Sequence, residues 1–243
     1  MGRMFEVRKA SKFARWDRMA KQFTRIGKEI TIAVKQGGGI GDVNDNPLLR
    51  RVVQNARGIN MPKDRIDAAI KRAVEGKDTS NYEEVIYEGY GPHGVAIIVD
   101  TSTDNTTRTV ANLRSYFSRN GGALGTSGSV QFQFKQMGVF KLDPTGLDEE
   151  ELELDLIDAG LEEIGETETE DGKKVLELRT AFADFGNMQS ALEERKIVPI
   201  SAEVEWIPSV TVPVTDEQAE EISKLIDIIE QDDDVNKVFH NMG

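Results

Sequence analysis

The feature that most restricts the fold of this 243-residue chain is the order of periodicities between residues 138 and 207. Segments 139–142, 162–169, 174–180 and 201–207 have the length and composition of strands, and 148–159 and 184–195 have the spacing of helices. Asp171-Gly172 marks a hairpin turn between the two central strands. Strand–helix–strand–strand–helix–strand is the order of the split βαβ, or ferredoxin-like, arrangement.

The flanks hold an incomplete version of the same order. Val95 to Val99 is a continuous apolar run and reads as a fully buried strand, followed by a helix over 107–120 with Val110, Leu113 and Phe117 inward. Residues 129–134 alternate, with Val130, Phe132 and Phe134 on one face and Gln131 and Gln133 on the other, as in a half-buried strand. After residue 207, an extended stretch over 210–214 precedes a capping box, Thr215 to Gln218, which opens a helix through Glu230. Its inner face is Ala219, Ile222, Ile226 and Ile229, and a strand over 235–239 closes the chain. The tail supplies the helix and strand that residues 85–134 lack. This predicts a central α/β domain made of residues 78–136 and 207–243, interrupted by an acidic ferredoxin-like domain at 137–206.

Residues 1–77 read as three helices. Trp16, Met19, Phe23, Ile26, Ile30 and Val34 recur three and four apart on the first, which Gly37-Gly38-Gly39 ends through the left-handed conformation glycine tolerates. Asn46 caps the second helix, Pro47 takes its first position, Val52, Val53 and Ala56 face inward, and Gly58 stops it. Pro62 opens the third, with Ile66, Ala69, Ile70 and Ala73 inward, and the polar stretch 76–83 is a linker. The expected fold class is α+β: a helical N-terminal domain and two ferredoxin-like α/β domains, one inserted into the other.

The formal net charge is −13, but its distribution matters more than its sum. Residues 1–77 hold 18 Lys and Arg against 8 Asp and Glu, a balance of +10; residues 78–147 balance at −2 and residues 148–243 at −21. A sign split along one chain points to nucleic-acid contact by the basic part. From Arg8 to Lys35 there are nine basic residues and two acidic ones, whereas solvated helix faces normally mix signs. The candidate nucleic-acid contacts are Arg8, Lys9, Lys12, Arg15, Arg18, Lys21, Arg25, Lys28 and Lys35 on the first helix. Arg50 and Arg51 on the second, and Lys63, Arg65, Lys71 and Arg72 on the third, complete the basic coat. Arg108 joins them from the next domain. With Arg114, Arg119 and the glycine-rich loop at 121–128, it forms either a secondary anion-binding surface or a solvated helix face.

Other chemistries have little to draw on. There is no Cys, and His93 and His240 are the two histidines, which read as surface or turn residues. Gly89 to Gly94 matches G-x-G-x-x-G, but a strand rather than a helix follows, so it is a turn. Gly37 to Gly41 lacks the Lys-Ser/Thr of a P-loop. Asp232-Asp233-Asp234 and the acidic stretch at 148–171 fit no EF-hand frame and read as solvated faces, with Glu149 to Glu151 suited to a helix N-terminus. The second and third helices form at most a weak helix-turn-helix, since Asp64 and Asp67 would repel phosphate beside Lys63 and Arg65. An RNA-recognition motif is rejected: the sheet faces offer Gln131, Gln133, Glu203 and Glu205 in place of stacking aromatics. Neither an apolar run long enough to span a bilayer nor a secretory leader is present, so a cytoplasmic, non-enzymatic protein without metal, cofactor, small-molecule substrate or membrane contact is expected.

Five strings carry a family resemblance: Asn60-Met-Pro-Lys-Asp64, Ala69-Ile-Lys-Arg72, Tyr87-Glu-Gly-Tyr-Gly-Pro-His-Gly94, Thr103-Asp-Asn-Thr-Thr-Arg-Thr109 and Gly121-Gly-Ala-Leu-Gly-Thr-Ser-Gly-Ser-Val130. In this order they make the chain resemble the YebC/PmpR family along essentially its whole length. The resemblance implies three domains, one inserted in another, and a non-enzymatic regulator of gene expression. It implies one of two partners: duplex DNA, for a transcriptional regulator, or ribosomal RNA, for a translational activator that works with the ribosome at proline-rich stretches. The first residues, Gly2-Arg-Met-Phe-Glu-Val-Arg-Lys9, depart from the family's Gly-His-Ser-Lys-Trp start, so any role of that arm carries over only as charge.

Overall fold

A computed structural model describes residues 3–76, 81–169 and 172–243, with the backbone alone for 3–18. The expected turn residue Asp171 and residues 77–80 of the 76–83 linker therefore lie outside the described residues. The chain divides into two compact units, Met1–Glu83 and Glu84–Gly243.

The first unit is helical: α1 (Arg3–Gln36), α2 (Pro47–Gly58) and α3 (Lys63–Val74). The stripe on α1 buries Ile26, Ile30, Ala33 and Val34 against Leu49, Val52, Val53 and Ala56 of α2 and Ile66, Ala69 and Ala73 of α3. Asn46 organises the α1–α2 corner. Its Oδ1 accepts the Leu49 N–H at 3.1 Å, and its Nδ2 donates to the carbonyls of Ala33 and Ile40, each at 3.0 Å. The Ala33 carbonyl lies in the last turn of α1 and also accepts the Gly37 N–H at 3.0 Å, so a single side chain caps α2 and ties it to the end of α1. The three glycines after α1 have different reasons. Gly38 and Gly39 take the left-handed conformation at φ +73° and +85°, whereas at Gly37 a Cβ would lie 2.2 Å from Asn46 Nδ2.

The second unit holds two four-stranded sheets. The elements are β1 (Glu83–Tyr90), β2 (Ala96–Thr103), α4 (Thr106–Arg119), β3 (Ala123–Leu124), β4 (Phe134–Leu142), α5 (Glu149–Leu156), β5 (Leu161–Glu168), β6 (Lys174–Ala181), α6 (Phe185–Glu194), β7 (Ser201–Pro208), α7 (Asp216–Glu230) and β8 (Val235–His240). One sheet has the order β5-β6-β4-β7, all antiparallel, which is the ferredoxin-like arrangement read from the sequence. Its core gathers Phe140, Leu142, Leu178 and Ala202 from the strands, Leu152 and Leu156 from α5, and Met188 and Leu192 from α6.

The other sheet has the order β3-β1-β2-β8. Here the ferredoxin-like positions are filled out of chain order: β1, which precedes β2, occupies the inner place that a strand following β3 would normally take. The C-terminal β8 pairs antiparallel with β2, matching Val99 to Val238 and Asp100 to Lys237. The apolar run Val95 to Val99 is explained by burial on both faces. Val95, Ile97 and Val99 pack under α4 and α7, and Ala96 and Ile98 pack against Val130, Phe134, Trp206 and Phe239. That second cluster, with residues of β4 and β7, joins the two sheets.

The strand expected at 129–134 is corrected. Gln131–Gln133 is a 3₁₀ turn, Phe132 is 74% exposed, and the strand that follows α4 is the short β3, paired with β1. The reason is Glu88 of β1, 2% exposed, whose carboxylate accepts the N–H groups of Gly128 (2.6 Å), Val130 (2.8 Å) and Gln131 (3.0 Å). A backbone held this way has no amides left for a ladder.

Candidate nucleic-acid interface

On the helical unit, packing of one face per helix leaves the basic residues outside. Lys35, Lys63, Arg65, Lys71 and Arg72 are exposed, and Lys21, Arg25, Arg50 and Arg51 are half-buried. Arg57, exposed in the last turn of α2, belongs to the same coat and was missed by the sequence reading; its position beside the Gly58 stop was the available signal. Asp64 and Asp67 are exposed on α3 beside Lys63 and Arg65. The Arg65 guanidinium also stands 5.7 Å from the centre of the Phe23 ring. The side chains of Arg8, Lys9, Lys12, Arg15 and Arg18 lie outside the described residues.

Two candidates are reassigned. Lys28 is only 9% exposed and places its ammonium 5.4 Å from the Tyr82 ring centre, so it packs within its unit. Arg108 is committed to carboxylates. Its Nη2 lies 2.8 and 2.7 Å from the two oxygens of Asp234, its Nε lies 3.1 Å from one of them, and Nη2 reaches Asp104 at 2.8 Å. These hydrogen bonds hold the guanidinium well above its ordinary pKa.

The string Thr103 to Thr109 is thus mainly a structural device. Asn105 caps α4 by accepting the Arg108 N–H, and Thr109 Oγ1 bonds to Thr103 Oγ1 and Asp234. This corrects the reading of Asp232-Asp233-Asp234 as a solvated face. Asp234 is 4% exposed, and Asp232 accepts from Asn112 Nδ2 and Tyr116 Oη. Burial, followed by the Asp232 carboxylate, pushes the Tyr116 hydroxyl up.

At the glycine-rich loop the Gly128 N–H is not open to an external anion, because Glu88 accepts it together with those of Val130 and Gln131 just beyond the loop. Four glycines in the two neighbouring strings permit close approach: a Cβ on Gly89, Gly91, Gly122 or Gly125 would fall within 3.0 Å of another atom. Of the string Gly89 to Gly94, Gly89 and Tyr90 end β1 and the rest is a turn into β2, where the Gly91 N–H bonds to the Val95 carbonyl. His93 sits in that turn at φ +62° with Nε2 2.8 Å from Glu221, and burial lowers the pKa of His240 in β8. Glu203 and Glu205 do not line an open sheet face, because both accept from Lys237 of β8.

Among the described residues no group of three or more His, Asp or Glu side chains is placed to hold a metal ion, and no helix is long and apolar enough to cross a membrane.

Comparison with known proteins places these features in a family. Residues 3–76 match the model of the TACO1/YebC protein N-terminal domain, and residues 82–242 match that of the TACO1/YebC second and third domain. The chain is 59% identical over 243 residues to a protein of Anaeromyxobacter dehalogenans strain 2CP-1, with all of both chains covered. It is 55% identical to one of Myxococcus xanthus, again over the whole of both chains. Both relatives are named "Probable transcriptional regulatory protein". The crystal structure of a conserved hypothetical protein of Aquifex aeolicus superposes with a TM-score of 0.76 at 33% identity, covering 92% of this chain and 90% of that one. The helical unit, the paired α/β sheets and the glycine-rich strings therefore belong to a member of the TACO1/YebC family.

Proposed function

We infer that this protein is a non-enzymatic regulator of gene expression that contacts nucleic acid through the basic surface of its helical unit. The observation that carries this reading is the surplus of +10 over residues 1–77, with Lys35, Arg57, Lys63, Arg65, Lys71 and Arg72 exposed around one small helical core. Lys and Arg that neutralise phosphates release counterions, and the resulting affinity depends steeply on salt. The names of the relatives support a regulatory role at the level of transcription, and duplex DNA is the partner we assign to that role.

A second reading is translational activation through ribosomal RNA. It is favoured by Asp64 and Asp67 in the first turns of α3, which weaken base reading in a major groove and suit sequence-tolerant backbone contact. Binding of the full chain to duplex DNA and to a structured RNA, each titrated at several salt concentrations, tests both. Reversal of Lys63, Arg65, Lys71 and Arg72 to Glu should abolish binding to the preferred ligand. Each lost phosphate contact should flatten the log–log salt slope by roughly 0.7 to 0.9. Unchanged affinity and slope would remove the basic-helix interface.

A further inference from the structure

The outer face of α5 departs from the pattern of an ordinary solvated helix. Leu152 and Leu156 point into the inserted domain at 5% and 0% exposure, which completes the core stripe of this short helix. Leu154 on the other side of α5, and Ile157 in the 3₁₀ turn that continues it, are 73% and 55% exposed. From Asp148 to Asp158 there are seven carboxylates and no Lys or Arg. Capping explains part of this charge: Asp148 accepts the Glu151 N–H, and Glu149 to Glu151 suit the helix N-terminus. Asp155 is held by Arg195, whose guanidinium donates to its carboxylate at 3.3 Å and its carbonyl at 3.0 Å. Neither role accounts for Glu153 and Asp158, or for two large aliphatic side chains in water among them. Three residues beyond Arg195, Val198 is 75% exposed.

We propose that this face docks a basic protein segment, rich in Lys and Arg and carrying aliphatic side chains that cover Leu154 and Ile157. An aliphatic centre with a charged rim is the anatomy of a transient protein interface. Charge selects the occupant. Phosphate would be repelled by the seven carboxylates, and a symmetric second copy would set the same carboxylates against each other. A basic segment gains from both the apolar centre and the rim. This surface lies on the acidic unit and is independent of the basic helices.

The test uses the full chain and two labelled synthetic peptides of equal charge, an amphipathic Lys/Leu peptide and a Lys/Ser peptide, at physiological ionic strength. The Lys/Leu peptide should bind more tightly than the Lys/Ser peptide. The double variant L154S/I157S should weaken its binding about tenfold or more, with an unchanged melting profile because both side chains are exposed. Glu220→Gln, on exposed α7, should have no effect. Equal binding of the two peptides, or full binding by L154S/I157S, would overturn the proposal. So would sedimentation showing that the native chain self-associates and the double variant does not, since the face would then belong to a second copy.

Discussion

Arg108 and Asp234, 126 residues apart in sequence, form a close guanidinium–carboxylate pair that ties the start of α4 to the turn before β8. The carboxylate is nearly fully buried and the Arg108 side chain is 46% exposed. The pair links the segment before the inserted domain to the segment after it, so the interrupted domain is closed by charge as well as by the β2–β8 ladder.

Removing one partner should cost more than removing both. Arg108→Ala takes the guanidinium from a buried carboxylate that the Thr109 hydroxyl still reaches, and should lower stability by about 2 kcal/mol, less than a fully buried pair would lose because water reaches the arginine. The double variant R108A/D234N should recover part of that loss. Urea midpoints of the single and double variants measure the coupling; strict additivity would show that the pair contributes little.

Glu88 should be intolerant of neutral replacement. Glu88→Gln keeps one acceptor oxygen for three N–H groups and sets an amide against the rest, which should cost about 2–3 kcal/mol. Hydrogen exchange at Gly128, Val130 and Gln131 should accelerate in the variant more than exchange within β6, and a uniform change across both would count against a local clamp.

Asp100 supplies a pH dependence. Burial, then repulsion from Glu84, raises its carboxyl from 3.8 to about 7, against the lowering effects of Asn236 and Lys237. Below pH 4 the group is protonated whether folded or not. Between about pH 4 and 7 the unfolded chain ionises it and the folded chain does not, so this group's contribution falls as pH rises and stays low above pH 7. The penalty reaches about 4 kcal/mol at most, at 1.36 kcal/mol per unit. Asp100→Asn should therefore raise the urea midpoint at pH 8 several times more than at pH 4.5. Equal effects at both values would contradict the buried-carboxyl explanation.

Gly37 and Asn46 should fail for one shared reason. Asn46→Ala removes a cap and two bonds to carbonyls, and should destabilise the helical unit by about 2 kcal/mol. Gly37→Ala forces a Cβ against the same amide and should cost a similar amount, whereas Gly38→Ala should cost about 1 kcal/mol through its positive φ alone. Circular dichroism melts of the full chain rank the three. Because Gly37→Ala and Asn46→Ala act on one contact, their effects should combine less than additively.

The parts legible in the sequence are those set by local periodicity. The α1 stripe, the capping box at Thr215, the doubly buried run at Val95 to Val99 and the order of the ferredoxin-like sheet follow from spacing, because side chains three or four apart share a helix face and alternate residues share a strand face. The charge division between the units needs only counting.

What local pattern could not reveal is where a polar group finds a partner distant in the chain. Residues 129–134 alternate like a strand, yet Glu88 captures the amides of Val130 and Gln131 from 42 and 43 positions away. Asp234 looks like one of three solvated acids until α4 brings Arg108 and Thr109 to it. Lys28 looks like part of a basic coat until Tyr82 covers it. The sequence by itself determined which faces had to be buried and which segment carried positive charge, since hydrophobic periodicity and charge are additive along the chain. Only the tertiary structure decided which charged groups remain available to a partner, because a buried polar group must be matched inside the fold and its match is chosen by packing rather than by sequence distance.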